Sequence, residues 1–311
     1  MKNPLFSGVC TALVTPFLDN QVNYPLVEQL IQRQIQNGVK AIVLAGTTGE
    51  APTLSDEEKI KLFQKGKQSA KDNCLIIAGT GSNCTKHAVE LSVAAEKAGA
   101  DALLVVSPYY NKGNPDGLFT HFMAIAQSVN IPIILYNVPS RTGQDIPVSL
   151  YRSLYQQPNI IGVKEASTDI SKYIAIQNAC QGNFTVWSGN DELTVPAISL
   201  GGNGVISVLS NLFPAETVAM TQAALDGDFD TAAALQCAFM PIIQLLFKDV
   251  NPIPVKYAMQ YVGYDCGNCR LPLGPISTDV KDKIDKFFQQ KNVRRITGAP
   301  DQGVNPSKIE I

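Results

Sequence analysis

Lys164 is the residue whose placement most demands a chemical explanation. The run Ile160-Ile-Gly-Val163 predicts a buried strand, and Lys164 stands at its end, before Glu165-Ala-Ser167. An ammonium there carries a desolvation cost, relieved by loss of its proton or by covalent use of the amine. Strand-end lysines of this kind serve Schiff-base enzymes, although a buried ion pair with Glu165 or another acid fits the same position. Other polar groups also close apolar runs. Gly46-Thr47-Thr48-Gly49-Glu50 is a glycine-bracketed turn with two hydroxyls and free amides, suited to a carboxylate or oxyanion, or is simply a turn. Tyr136 ends the run from Ile131 and precedes Arg141. The phenol can relay protons and the guanidinium is a planar fork for a carboxylate, unless Tyr136 caps the core and Arg141 faces solvent. Tyr109 and Tyr110 place two phenols on one loop, for a site, for aromatic packing or for an oligomer contact.

Several other chemistries are disfavoured. The phosphate cradle GxxxxGK[ST] is absent, and Gly79-Thr-Gly81-Ser-Asn-Cys84 lacks the third glycine of a dinucleotide fingerprint, so no nucleotide cofactor is expected. Cys266-Gly-Asn-Cys269 stands alone in a chain with only His87 and His121, so these thiols read as structural, with no metal. Seven cysteines is an odd number in a chain too large to need staples, which argues for reduced thiols. With 25 Lys+Arg against 27 Asp+Glu the net charge is −2, and basic residues cluster no further than Arg294-Arg295. That excludes a footprint for nucleic acid or an anionic membrane surface. No stretch approaches the ~18 uninterrupted apolar residues of a membrane span, and no signal-like segment opens the chain, so a cytoplasmic location is expected.

Elements must bring these groups together. Eight apolar runs, Val9–Phe17, Ala41–Ala45, Leu75–Ala78, Ala102–Val106, Ile131–Tyr136, Ile160–Val163, Phe184–Trp187 and Gly204–Val208, alternate with amphipathic stretches. That alternation predicts parallel strands covered by helices, and eight repeats in about 225 residues match a (β/α)8 TIM barrel rather than an open sheet. Ser55-Asp-Glu-Glu58 fits a capping box and starts the second helix. Past Gly227 only helices are predicted, Asp230–Lys248, Pro254–Tyr261 and Asp279–Gln290, joined by proline-rich links. The expected organisation is a barrel over 1–226, a C-terminal helical region over 227–296 and a flexible tail over 297–311. In a barrel the strand ends share one mouth, so Thr47, Thr48, Tyr110, Tyr136, Arg141 and Lys164 converge there.

Gly46-Thr-Thr-Gly-Glu50, Pro108-Tyr-Tyr-Asn111, Tyr136-Asn-Val-Pro-Ser-Arg-Thr-Gly143, Gly162-Val-Lys-Glu-Ala166 and Gly204-Val-Ile-Ser207, in this order, resemble the dihydrodipicolinate synthase family of class I aldolases. The resemblance runs over about residues 5–290. It implies that Lys164 forms a Schiff base with pyruvate, that Tyr136 shuttles protons, and that Thr47 links Tyr136 to Tyr110 across a dimer interface. It further implies that the Thr47 and Thr48 amides hold the pyruvate carboxylate, that Arg141 receives the carboxylate of the aldehyde, and that Gly189 and Ile206 line the pocket. The implied enzyme is a cytoplasmic homotetramer without cofactor, condensing pyruvate with L-aspartate 4-semialdehyde into 4-hydroxy-tetrahydrodipicolinate for lysine synthesis. Relatives that cleave sialic or keto-deoxy-sugar acids are the alternative, and Arg141 favours the acidic aldehyde. Lysine-inhibited members carry two histidines and a glutamate where this chain has Asp56, Lys59 and His87, although Asn83 and Tyr109 match; the exchange predicts weak or no inhibition by L-lysine.

Overall fold

The computed structural model describes residues 4–291; the tail expected over 297–311 lies outside them. Eight parallel strands close into a barrel: β1 (Gly8–Ala12), β2 (Ala41–Leu44), β3 (Leu75–Gly79), β4 (Ala102–Val106), β5 (Ile133–Asn137), β6 (Ile160–Glu165), β7 (Thr185–Ser188) and β8 (Gly204–Ser207). Each pairs with its successor and β8 pairs with β1, so the barrel has no free edge. The expected (β/α)8 fold is the observed one. Strands covered on both faces read as continuous apolar runs, which is why their positions were visible in the sequence.

Side chains alternate between two cores. Cys10, Val43, Ile77, Leu104, Ile134, Trp187 and Ile206 fill the barrel interior, while Val9, Ile42, Ile76, Leu103, Leu135 and Val163 pack outward against helices. Gly162 leaves space for the interior tryptophan, since a Cβ there would lie 2.8 Å from Trp187 Cζ3.

The second helix, Asp56–Ala70, begins with the expected capping box: Ser55 Oγ accepts from the Glu58 amide at 3.2 Å and Glu58 returns a bond to the Ser55 amide at 2.9 Å. The expected run Val9–Phe17 is broken. β1 stops at Ala12, and Phe17–Leu18 pairs antiparallel with Gln21–Val22 through Asp19 and Asn20, at φ 49° and 61°. Positive φ at both central residues is the hairpin geometry that Asp and Asn accept.

Among the described residues three helices follow the barrel, Phe229–Leu246, Ile253–Tyr261 and Thr278–Gln290. The first is, by length and composition alone, long and apolar enough to cross a membrane. Its buried Ala232, Gln236, Phe239, Ile243 and Leu246 recur at helical spacing, the signature of an amphipathic helix packed on a core. Phe239, Val255, Met259 and Phe288 join the same apolar cluster as the barrel's outer face.

Candidate active site

The register between β5 and β6 sets Tyr136 opposite Lys164 and Asn137 opposite Glu165. Alternation then turns Tyr136 and Lys164 into the barrel and Glu165 away from it. Lys164 is 5% exposed, with Nζ 4.4 Å from the centre of the Tyr136 ring. Gly189 gives it room, because a Cβ there would come within 3.0 Å of Lys164 Cε and 2.6 Å of Ala166 Cβ. Ile206 is fully buried in the same interior.

The ion pair with Glu165, left open by the sequence, does not form. Glu165 accepts from Asn137 Nδ2 at 2.9 and 3.0 Å and from the Ser167 amide at 2.8 Å, and the cation beside it is Lys172 at 3.8 Å. Burial pushes its carboxyl up, opposed by Lys172 and the donors. Lys172 also pairs with Asp145, which accepts from Asn137 at 2.7 Å. This network sits behind the two strand ends, and among the described residues Lys164 has no carboxylate partner.

Sequence reasoning missed Asp191, which opens the turn after β7. It is 1% exposed, and its Oδ2 accepts from the Val208 and Leu209 amides at 2.9 and 3.0 Å. Burial raises its carboxyl, while hydrogen bonds and the charge of Lys164 oppose that rise. An acid directly after a strand-end Ser-Gly-Asn was the available signal.

The threonine turn is held from below and from the C-terminal region. Glu50, at φ 57°, is buried; its carboxylate accepts from Lys256 Nζ at 2.9 Å and from the Arg270 amide at 2.8 Å. A left-handed glutamate persists because its surroundings over-determine it. Thr48 is buried and accepts from Asn251 Nδ2 at 3.0 Å, while Thr47 is half-buried. Arg141, on the one-turn helix Pro139–Thr142, is exposed and donates from Nη2 to the Asn251 carbonyl at 3.1 Å.

A cavity of about 510 Å³ opens at this mouth. Thr47, Tyr109, Tyr136 and Arg141 are in its wall, and Lys164 is not. The same cavity extends to Asp56, Lys59 and His87. There Asp56 accepts from His87 Nε2 at 2.9 Å and from Lys59 Nζ at 3.3 Å, while His87 Nδ1 lies 3.1 Å from Ser82 Oγ. These contacts hold the Asp56 carboxyl low despite the desolvation that opposes them.

Tyr110, unlike its neighbour Tyr109, does not line this cavity. It is 92% exposed at φ 71°, and no hydrogen bond joins the Tyr136 hydroxyl to Thr47 or Tyr110 among the described residues. The three-residue relay implied by resemblance is therefore not assembled within one chain.

A closed (β/α)8 barrel with a lysine and a tyrosine side by side at adjoining strand ends is the arrangement that a Schiff-base lyase of the barrel aldolase class requires. The dihydrodipicolinate synthetase family model matches residues 5–291, and the chain belongs to that family. It is 44% identical over 290 residues to the 4-hydroxy-tetrahydrodipicolinate synthase of Acetivibrio thermocellus, covering 93% of this chain and 97% of that one. The crystal structure of dihydrodipicolinate synthase from Aquifex aeolicus matches with TM-score 0.92 at 40% identity, over 94% of this chain and 100% of that one. The chloride-inhibited dihydrodipicolinate synthase of Acinetobacter baumannii, solved with pyruvate, matches with TM-score 0.89 at 39% identity, over 91% and 98%.

Proposed function

We infer that the protein condenses pyruvate with L-aspartate 4-semialdehyde to give 4-hydroxy-tetrahydrodipicolinate, the first committed step toward diaminopimelate and lysine. The observation that carries the residue assignment is Lys164, enclosed in the barrel beside Tyr136 with its neighbouring carboxylate turned away. In this reading Lys164 Nζ adds to pyruvate C2 and the carbonyl oxygen leaves as water. The protonated imine is the electron sink that lets a methyl proton depart, so the reading assigns no cofactor. Tyr136 accepts that proton, and the resulting enamine carbon attacks the aldehyde, whose oxygen takes a proton back. The acceptor's own amine then adds to the imine carbon, closing the ring and releasing Lys164.

The turn amides at Thr47 and Thr48 suit the pyruvate carboxylate, and the Arg141 fork suits that of the acceptor. Gly189 and Ile206 shape the space around the imine. A free phenol is a poor base near neutral pH, so Tyr136 needs a relay. Thr47 lines the same cavity as Tyr136, and the exposed Tyr110 is suited to reach the site of a second chain in a homotetramer built as a dimer of dimers. All seven cysteines are free thiols, which suits work in the reducing cytoplasm. An acceptor screen tests the reading: aspartate semialdehyde should turn over with pyruvate, whereas a preference for N-acetylmannosamine or glyceraldehyde would refute it.

A further inference from the structure

Asn251 is the point at which the C-terminal region reaches both carboxylate-binding groups. It follows the helix Phe229–Leu246 and is 5% exposed. Its side chain donates to Thr48 Oγ1 at 3.0 Å, and its carbonyl accepts from Arg141 Nη2 at 3.1 Å. Its own Oδ1 is buried and takes no hydrogen bond from the described residues. The hydrogen bond that Nδ2 donates to Thr48 is therefore the amide's side-chain contact among the described residues.

We propose that Asn251 is a positioning residue for the carboxylates of both substrates. A hydroxyl has one proton. Because the Thr48 oxygen accepts from Asn251, its proton is left to donate elsewhere, toward the carboxylate carried by the turn. Through its carbonyl, Asn251 also seats Arg141, which has no carboxylate partner of its own among the described residues. One residue thus ties the two halves of substrate recognition together, and it does so from outside the barrel. The proposal rests on the roles given above to Thr48 and Arg141.

Borohydride trapping at graded pyruvate concentrations, on the full chain, reads the first half without the acceptor. In Asn251→Asp the side chain can only accept, so the Thr48 proton turns toward it and away from pyruvate. Half-saturating pyruvate should rise about fivefold, the worth of one hydrogen bond, while labelling at saturation and the melting temperature hold. Asn251→Ala should act similarly, and joined to Thr48→Val it should cost no more than the larger single effect. The acceptor KM should rise more in Asn251→Asp than in Asn251→Ala, because the new carboxylate competes for Arg141. Unshifted half-saturation, additive effects of the two changes, or losses that follow the melting temperature would overturn the proposal. Absence of label in the unmutated protein would instead overturn the functional reading beneath it. If Asn251→Asp does not fold, Asn251→Ala carries the same comparison.

Discussion

Tyr136 and Lys164 face each other across β5 and β6, the ammonium nitrogen 4.4 Å from the centre of the ring. The ring contact and the proton-carrying hydroxyl are separable functions of one side chain. Tyr136→Phe keeps the first and deletes the second, so pyruvate should still be trapped while kcat falls about 100- to 10,000-fold, the usual worth of a positioned acid or base. Trapping and steady-state turnover measured on the same preparation check this, and an unchanged kcat would remove Tyr136 from the proton path.

Arg141 should discriminate between the substrates. Its fork is exposed at the cavity mouth and held by a single carbonyl. Arg141→Ala should weaken the acceptor by about 1.5–3 kcal/mol, the range for a charge-assisted hydrogen bond, with little effect on pyruvate. Steady-state kinetics with each substrate varied in turn decides it, and equal losses for both would contradict the assignment.

L-lysine should inhibit weakly or not at all. Asp56, the one carboxylate among the described residues that line this end of the cavity, is already bonded to His87 and Lys59. An incoming ammonium would meet a spent acid and a like charge. Calorimetry with millimolar L-lysine beside the activity assay checks this; strong saturable inhibition would show that the three side chains rearrange around the ligand.

Arg270 should support stability in a pH-dependent way. Both its terminal nitrogens contact Glu58, at 2.7 and 2.6 Å, and this pairing holds the Glu58 carboxyl below its usual value against modest desolvation. A carboxylate with a depressed folded pKa adds stability above its unfolded value, near 4.3, which is lost as pH falls through the folded one. Arg270→Met should therefore lower stability by about 1 kcal/mol near pH 7, given the partial exposure of the pair. The gap between the two proteins should close toward pH 3 in thermal melts; a constant gap would mean that the Phe17 stacking and backbone contacts of Arg270 carry the effect.

The barrel was legible because each strand is buried on both faces and so reads as an unbroken apolar run. Lys164, Tyr136 and the threonine turn were legible because they stand at the ends of those runs, and Ser55 with Glu58 because a capping box is a local pattern. Asn251 was not, since its partners lie 203 and 110 residues away and nothing local marks it. Asp191 had a local mark in the strand-end Ser-Gly-Asn before it, but its bonds go to amides just past β8, and these the local pattern does not show. Phe17 looked like strand core, whereas the Asp19–Asn20 turn folds it into a hairpin over which Lys256 and Arg270 lie, each 4.4 Å from its ring.

Borohydride reduction in the presence of pyruvate, followed by peptide mass mapping, decides whether Lys164 is the nucleophile. One adduct of reduced pyruvate should appear, on the peptide carrying Lys164, and none in Lys164→Arg, which keeps the charge but loses the nucleophile. Label on another lysine, or turnover in Lys164→Arg comparable to the unmutated protein, would contradict that role.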